Sequence, residues 1–270
     1  MKTRVMTALI GVPVLIVALV VRGLFAELLI VALTLIALNE MHKALRTAGY
    51  QVCMWGGYAA AIAMLPLNRL TGVLDPLLLV AGAMGISMLG VLLNEKPSFP
   101  DACASVYPLF TCLLPFSMFM MMLETTYGRV PGVALITMAF AVAYGCDALA
   151  YLGGRSFGKH KLCPSVSPKK TVEGAVSGLI GGVISALLVR ALFVHPLNTP
   201  MPGIPAAILL GVLGSIAGQV GDLTASLLKR HSGIKDYGKL FPGHGGVMDR
   251  FDSVIYTLIV MYCYTLVLHG

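Results

Sequence analysis

Apolar side chains run along this chain in long stretches, separated by short clusters rich in Lys, Arg, Gly and Pro. Runs of this length read as spanning helices, because about 20 helical residues cross the hydrocarbon core of a bilayer. The pattern predicts nine helices, at roughly 5–21, 24–44, 54–67, 73–93, 103–124, 131–153, 173–194, 204–228 and 248–268. The third is short and is expected to end at Pro66. The fold class that follows is all-α: a polytopic integral membrane protein of about nine transmembrane helices, with a cytoplasmic N-terminus.

Composition points the same way. Hydrophobic residues make up 57% of the chain and charged residues only 11%, with a mean hydropathy of +0.87. Soluble domains carry about 25% charged residues, so this chain lacks the polar surface that water demands. The net charge of +7 does not mark a nucleic-acid partner, since the basic residues sit in short loops rather than on one surface. Placed on the nine-helix scheme, fifteen of the nineteen Lys and Arg residues fall on the N-terminal side of the membrane. Only Arg22, Arg69, Arg129 and Arg190 fall opposite. That asymmetry makes the N-terminal side cytoplasmic. Lys2 and Arg4 before an apolar stretch resemble a signal peptide. No small-residue cleavage site follows, and a second apolar stretch begins at once, so an uncleaved first span is expected. The six cysteines form no C-x-x-C pair and carry no expected chemistry.

Two cytoplasmic loops, at about 154–172 and 229–247, are longer than the other connections and rich in Lys, His, Gly and Pro. Of twelve acidic residues, Asp147, Glu173, Asp222, Asp236, Asp249 and Asp252 lie in or beside the last four helices and these loops. A carboxylate within a span costs roughly 2.5–3.5 kcal/mol on insertion scales, so it should face a cavity and have a partner. One acid alone reads most simply as half of an interhelical salt bridge, such as Asp147 with Arg155 or Asp222 with Lys229. Several at one depth favour a shared metal and phosphate site. Asp222, Ser226 and Lys229 share one face of the eighth helix, and Asp249, Asp252 and Tyr256 one face of the ninth. Hard carboxylate oxygens suit Mg²⁺. The glycines at 238, 243, 245 and 246 let backbone amides approach a phosphate. His244 reads as a binding or loop-orienting residue. The repeats Gly174, Gly178, Gly182 and Gly214, Gly218 read as close-packing seams.

The stretch from Ser226 to Asp252 contains Lys229-Arg230, Lys235-Asp236, Phe241-Pro242-Gly243-His244-Gly245-Gly246, Asp249-Arg250 and Asp252. It resembles the signature of the phosphatidate cytidylyltransferase (CDP-diacylglycerol synthase) family. Ser167-Pro168-Lys169-Lys170-Thr171-Val172-Glu173-Gly174 is similar to a further family segment, and Asp147 before Tyr151-Leu152-Gly153-Gly154 also fits. The resemblance covers roughly residues 140–260. It divides the chain into N-terminal scaffold helices over 1–130 and catalytic helices with the two loops over 131–270.

The resemblance implies the reaction of CTP with phosphatidic acid to give CDP-diacylglycerol and pyrophosphate. It implies Mg²⁺ held by Asp222 and Asp249, with Asp147 and Asp252 as neighbours, and Lys235 beside the two aspartates in catalysis. Ser167, Lys169, Lys170, Ser226, Lys229, Arg230, His244, Gly245, Gly246 and Arg250 are the implied substrate contacts. The enzyme would belong to phospholipid biosynthesis in the cytoplasmic (inner) membrane, its site facing the cytoplasm and its lipid substrate held in the bilayer. A homodimer is in keeping with the family but is not readable from these residues, and no nucleic-acid partner is implied.

Two rival classes fit less well. An anion transporter would place polar groups near the midplane in two related halves, whereas these groups are skewed to one side and one half. A CDP-alcohol phosphotransferase needs a D-G-x-x-A-R run that this chain lacks.

Overall fold

The computed structural model describes residues 13–71, 75–241, 243 and 245–269. Lys2, Arg4, the start of the first expected span and His244 lie outside the described residues. Among those described, helix α1 covers 13–21 and gives way to α2 (Gly23–Thr47) at Arg22 and Gly23, whose φ angles of 52° and 60° end a right-handed helix. There follow α3 (Trp55–Pro66), α4 (Pro76–Leu92), α5 (Phe99–Glu124), α6 (Gly132–Phe157), α7 (Val172–Val194), α8 (Ile204–His231) and α9 (Met248–His269). Six of these, α2 and α5 to α9, are long and apolar enough to cross a membrane. The chain is an all-α integral membrane protein.

Helix α3 ends at Pro66, as expected, but the chain does not turn away there. It continues through a π-helical turn over Leu67–Thr71, and a second such turn, Leu109–Leu113, follows Pro108 inside α5. Proline lacks an amide and crowds the carbonyl one turn back. Widening the helix by one residue per turn absorbs that mismatch and lets the run go on.

By internal contacts the chain forms two compact units: residues 1–121 with 228–251, and residues 122–227 with 252–270. In the first, Glu27 is buried in α2, where Arg69 and Asn68 satisfy its carboxylate. The loop before α3 is pinned to α5: Gln51 donates to Asp101 at 2.8 Å and Cys53 to the Ser105 hydroxyl at 2.9 Å. Gly56 lies so close to α4 that a Cβ would stand 2.1 Å from the Ala83 carbonyl.

In the second unit, α7 shows both of its solvents. Ile180, Ile184, Leu188 and Leu192 recur every four residues and are exposed, as expected of a lipid-facing stripe. Its glycines face protein. A Cβ on Gly181 would meet the Gly145 carbonyl of α6 at 2.4 Å, and one on Gly182 the Ser215 hydroxyl and Gly211 carbonyl of α8. Apolar helices gain little from each other over lipid, so backbones brought this close supply packing that bulkier side chains would prevent.

The expected loop at 154–172 holds an antiparallel hairpin, β3 (Lys161–Cys163) against β4 (Ser167–Thr171). A smaller hairpin, β1 (Thr126–Tyr127) with β2 (Val130–Pro131), precedes α6. Helical periodicity carried no signal for either.

Candidate active site

In the second unit, Asp147 on α6 and Asp222 on α8 line a cavity of about 390 Å³, together with Gln219, Arg155, Lys169 and Lys170. Hairpin β3–β4 brings the lysines there. Its base is tied to the first turn of α7, where Glu173 accepts from the Lys159 and His160 amides and its carboxylate lies 2.6 Å from the His160 ring. Thr171 ends β4 and caps α7, its hydroxyl accepting from the Gly174 amide. A chain held at both ends in this way presents Lys169 exposed and Lys170 half-buried.

Lys170 Nζ lies 2.5 Å from Asp222 Oδ2. The cation on Asp222 thus comes from the hairpin, not from Lys229 on its own helix. Ser226, one turn on, donates to Asp222 Oδ1 at 3.4 Å, and Ser253 on α9 donates to Asp147 Oδ2 at 3.4 Å. Gln219 Nε2 bonds the Ala175 carbonyl at 3.2 Å, which ties α8 to α7 beside the two acids. Asp252 Oδ1 accepts from the Ser253 amide. Ser167, the first residue of β4, is half-buried.

In the first unit, the glycine-rich loop wraps around Asp249 at the start of α9. Its Oδ2 accepts from the Tyr237 and Gly246 amides at 2.8 and 2.9 Å, and its Oδ1 from Lys229 Nζ at 2.9 Å. Lys229 also lies 5.3 Å from the centre of the Tyr237 ring. Gly245 takes φ 82°, and a Cβ there would stand 2.5 Å from Asp249 Oδ2. Lys235, Arg230 and Arg250 are exposed around this loop.

Among the described residues no three His, Cys, Asp or Glu side chains converge into a metal cage. The donor chemistry nonetheless fits a hard divalent cation, which usually takes one or two carboxylates and leaves other positions to water and substrate phosphate. Asp222 and Asp249 each already hold a positive charge, the ammonium of Lys170 or Lys229. Those lysines are also placed to exchange a carboxylate for a phosphate.

Arg155, expected only as a salt-bridge partner of Asp147, also lines the cavity. Two polar residues carried no expectation. Gln219 lines the cavity one turn before Asp222 on α8, a spacing that could have marked it. The other is Glu40, buried in α2, whose two oxygens accept from the Val247 and Met248 amides. Its only sequence signal was an acid within an apolar run.

Residues 2–268 match the model of the Cytidylyltransferase family. The chain is 38% identical to the phosphatidate cytidylyltransferase of Staphylococcus saprophyticus, 36% to that of Staphylococcus haemolyticus and 35% to that of Staphylococcus aureus. In each case the match covers 96% of both chains.

Proposed function

We propose that this chain, which belongs to the cytidylyltransferase family, joins CTP to phosphatidic acid to give CDP-diacylglycerol and pyrophosphate. A phosphate oxygen of phosphatidic acid attacks the α-phosphorus of CTP. The bond from that phosphorus to the oxygen bridging to the β-phosphate breaks, and pyrophosphate leaves. The nucleophile is already ionised, so no strong general base is needed. What the reaction demands is that two polyanions be brought together and the leaving charge be neutralised.

The cavity that joins Asp147 and Asp222 to Lys169, Lys170 and Arg155 is the observation that carries this reading. Its lysines and arginine suit the phosphates of the two substrates, and Ser226 steadies Asp222. In the glycine-rich loop, Lys229, Arg230, Lys235 and Arg250 offer further phosphate contacts. Asp222 and Asp249 are the proposed holders of Mg²⁺, with Asp147 and Asp252 as further candidates, and the ion would neutralise charge on the triphosphate and its leaving group. The direct test is whether purified protein makes CDP-diacylglycerol from these two substrates.

The nine-span arrangement, with both loops on the cytoplasmic side of the inner membrane, belongs to the same proposal. It is supported by the distribution of fifteen Lys and Arg residues against four. In a background without the native cysteines, single cysteines placed in 158–166 and 232–241 should react with an impermeant maleimide only from the cytoplasm. One at Gly128 should react only from outside. Labelling of the two long loops from opposite sides would contradict the arrangement.

A further inference from the structure

Glu40 has no role in the proposal above, yet it is 5% exposed in an apolar helix. An ionised carboxylate taken out of water costs several kcal/mol unless hydrogen bonds replace its hydration. The replacement here comes from a segment more than 200 positions along the chain: the Val247 amide to Oε1 at 3.1 Å and the Met248 amide to Oε2 at 2.9 Å. These amides open α9, where the helix leaves donors unpaired and favours a negative charge.

Two glycines close over the same carboxylate. A Cβ on Gly238 or on Gly246 would stand 2.1 Å from Glu40 Oε1. Both arms of the glycine-rich loop therefore rest on Glu40, and the loop tolerates no side chain at either contact. From its other side the loop is held by Asp249, through the Tyr237 and Gly246 amides. Gly246 touches both acids.

We propose that Glu40 is the positioning residue of the glycine-rich loop, fixing the orientation in which Asp249 serves the transfer. It touches no reacting atom. The inference rests on the reading that Asp249 acts in the reaction, and its test separates the two.

Glu40→Gln keeps the side chain's shape and one good acceptor, but gives the second amide an NH₂ group. Glu40→Ala removes the seat. In Glu40→Gln, kcat should fall on the order of 10-fold, as when other partners that orient a functional carboxylate are lost, while the KM for phosphatidic acid stays near wild type. A reporter cysteine at the exposed Lys239, read against protein without it, should be alkylated several-fold faster in both variants. A role confined to stability would lower the melting temperature and leave kcat per folded molecule and the reporter rate unchanged. Wild-type kcat and reporter rates in folded Glu40→Gln would overturn the inference. Should Glu40→Ala fail to fold, Glu40→Gln decides alone. If wild-type protein makes no CDP-diacylglycerol, the reading of function fails, and the reporter rate still decides whether Glu40 seats the loop.

Discussion

Asp222→Asn should leave a folded protein that forms CDP-diacylglycerol at least about 100-fold more slowly, the scale on which loss of a preorganised electrostatic partner acts. Asn is isosteric, but it removes a charge and weakens a hard-oxygen ligand. Asp249→Asn should lose as much activity and also some stability, because Asp249 holds two loop amides and Lys229 at once. If both acids serve one reaction centre, the double variant should be little worse than either single, since residues acting as a unit are not additive. The competing account makes each acid the structural partner of its lysine. In that account Lys170→Met should rescue Asp222→Asn, and Lys229→Met should rescue Asp249→Asn, because each pair of changes removes both charges. CDP-diacylglycerol formation and thermal stability measured side by side decide. A stable Asp222→Asn protein with near-normal activity would end the assignment.

Gly181→Ala should destabilise the helix packing of the second unit by about 1–3 kcal/mol, the usual cost of overpacking. Alanine favours a helix over glycine by up to about 1 kcal/mol. Here that gain is outweighed, because the new methyl would meet the backbone oxygen of Gly145 at 2.4 Å and Leu149 Cβ at 2.9 Å. A backbone carbonyl inside a helix cannot rotate away, so α6 and α7 would have to separate. Asp147 rides on α6, so activity should fall with stability. Gly85→Ala on α4 is the control. Nothing lies within 4 Å of its added Cβ, so the change should be neutral or slightly stabilising. Thermal unfolding in detergent reads both. Equal stabilities would mean that the close approach at Gly181 does not matter to the fold.

The sequence was most informative where one physical cause dominates. Long apolar runs have one good solution in lipid, so α2 and α5 to α9 were legible within a few residues of their observed ends. The glycine seams were legible for the same reason, as at Gly182 against Ser215. Pro66 marked the end of α3 correctly, but the π-helical turn over Leu67–Thr71 that follows it was not legible, because whether the chain widens past a proline depends on its surroundings. The hairpin Lys161–Cys163 with Ser167–Thr171 was invisible: strands this short have too few residues to show alternation. Asp147, Asp222 and Asp249 stood out because charge is costly in a span. Lys170 and Lys229 stood out too, but which acid each pairs with did not, and neither did Ser253, because such pairings are chosen by tertiary approach. Glu40 paid the same cost as the other acids and was passed over because it lies far from the glycine-rich loop in sequence.

The measurement closest to the central claim follows the phosphorus atoms of the nucleotide. Purified protein is given phosphatidic acid, Mg²⁺ and CTP labelled at either the α- or the γ-phosphate, with ATP, GTP and UTP labelled likewise in parallel. The account predicts that α-label from CTP enters the lipid phase as CDP-diacylglycerol, that γ-label stays in water as pyrophosphate, and that the other three nucleotides transfer far less. No α-label in the lipid phase from any nucleotide, with folded protein and both substrates present, would contradict it.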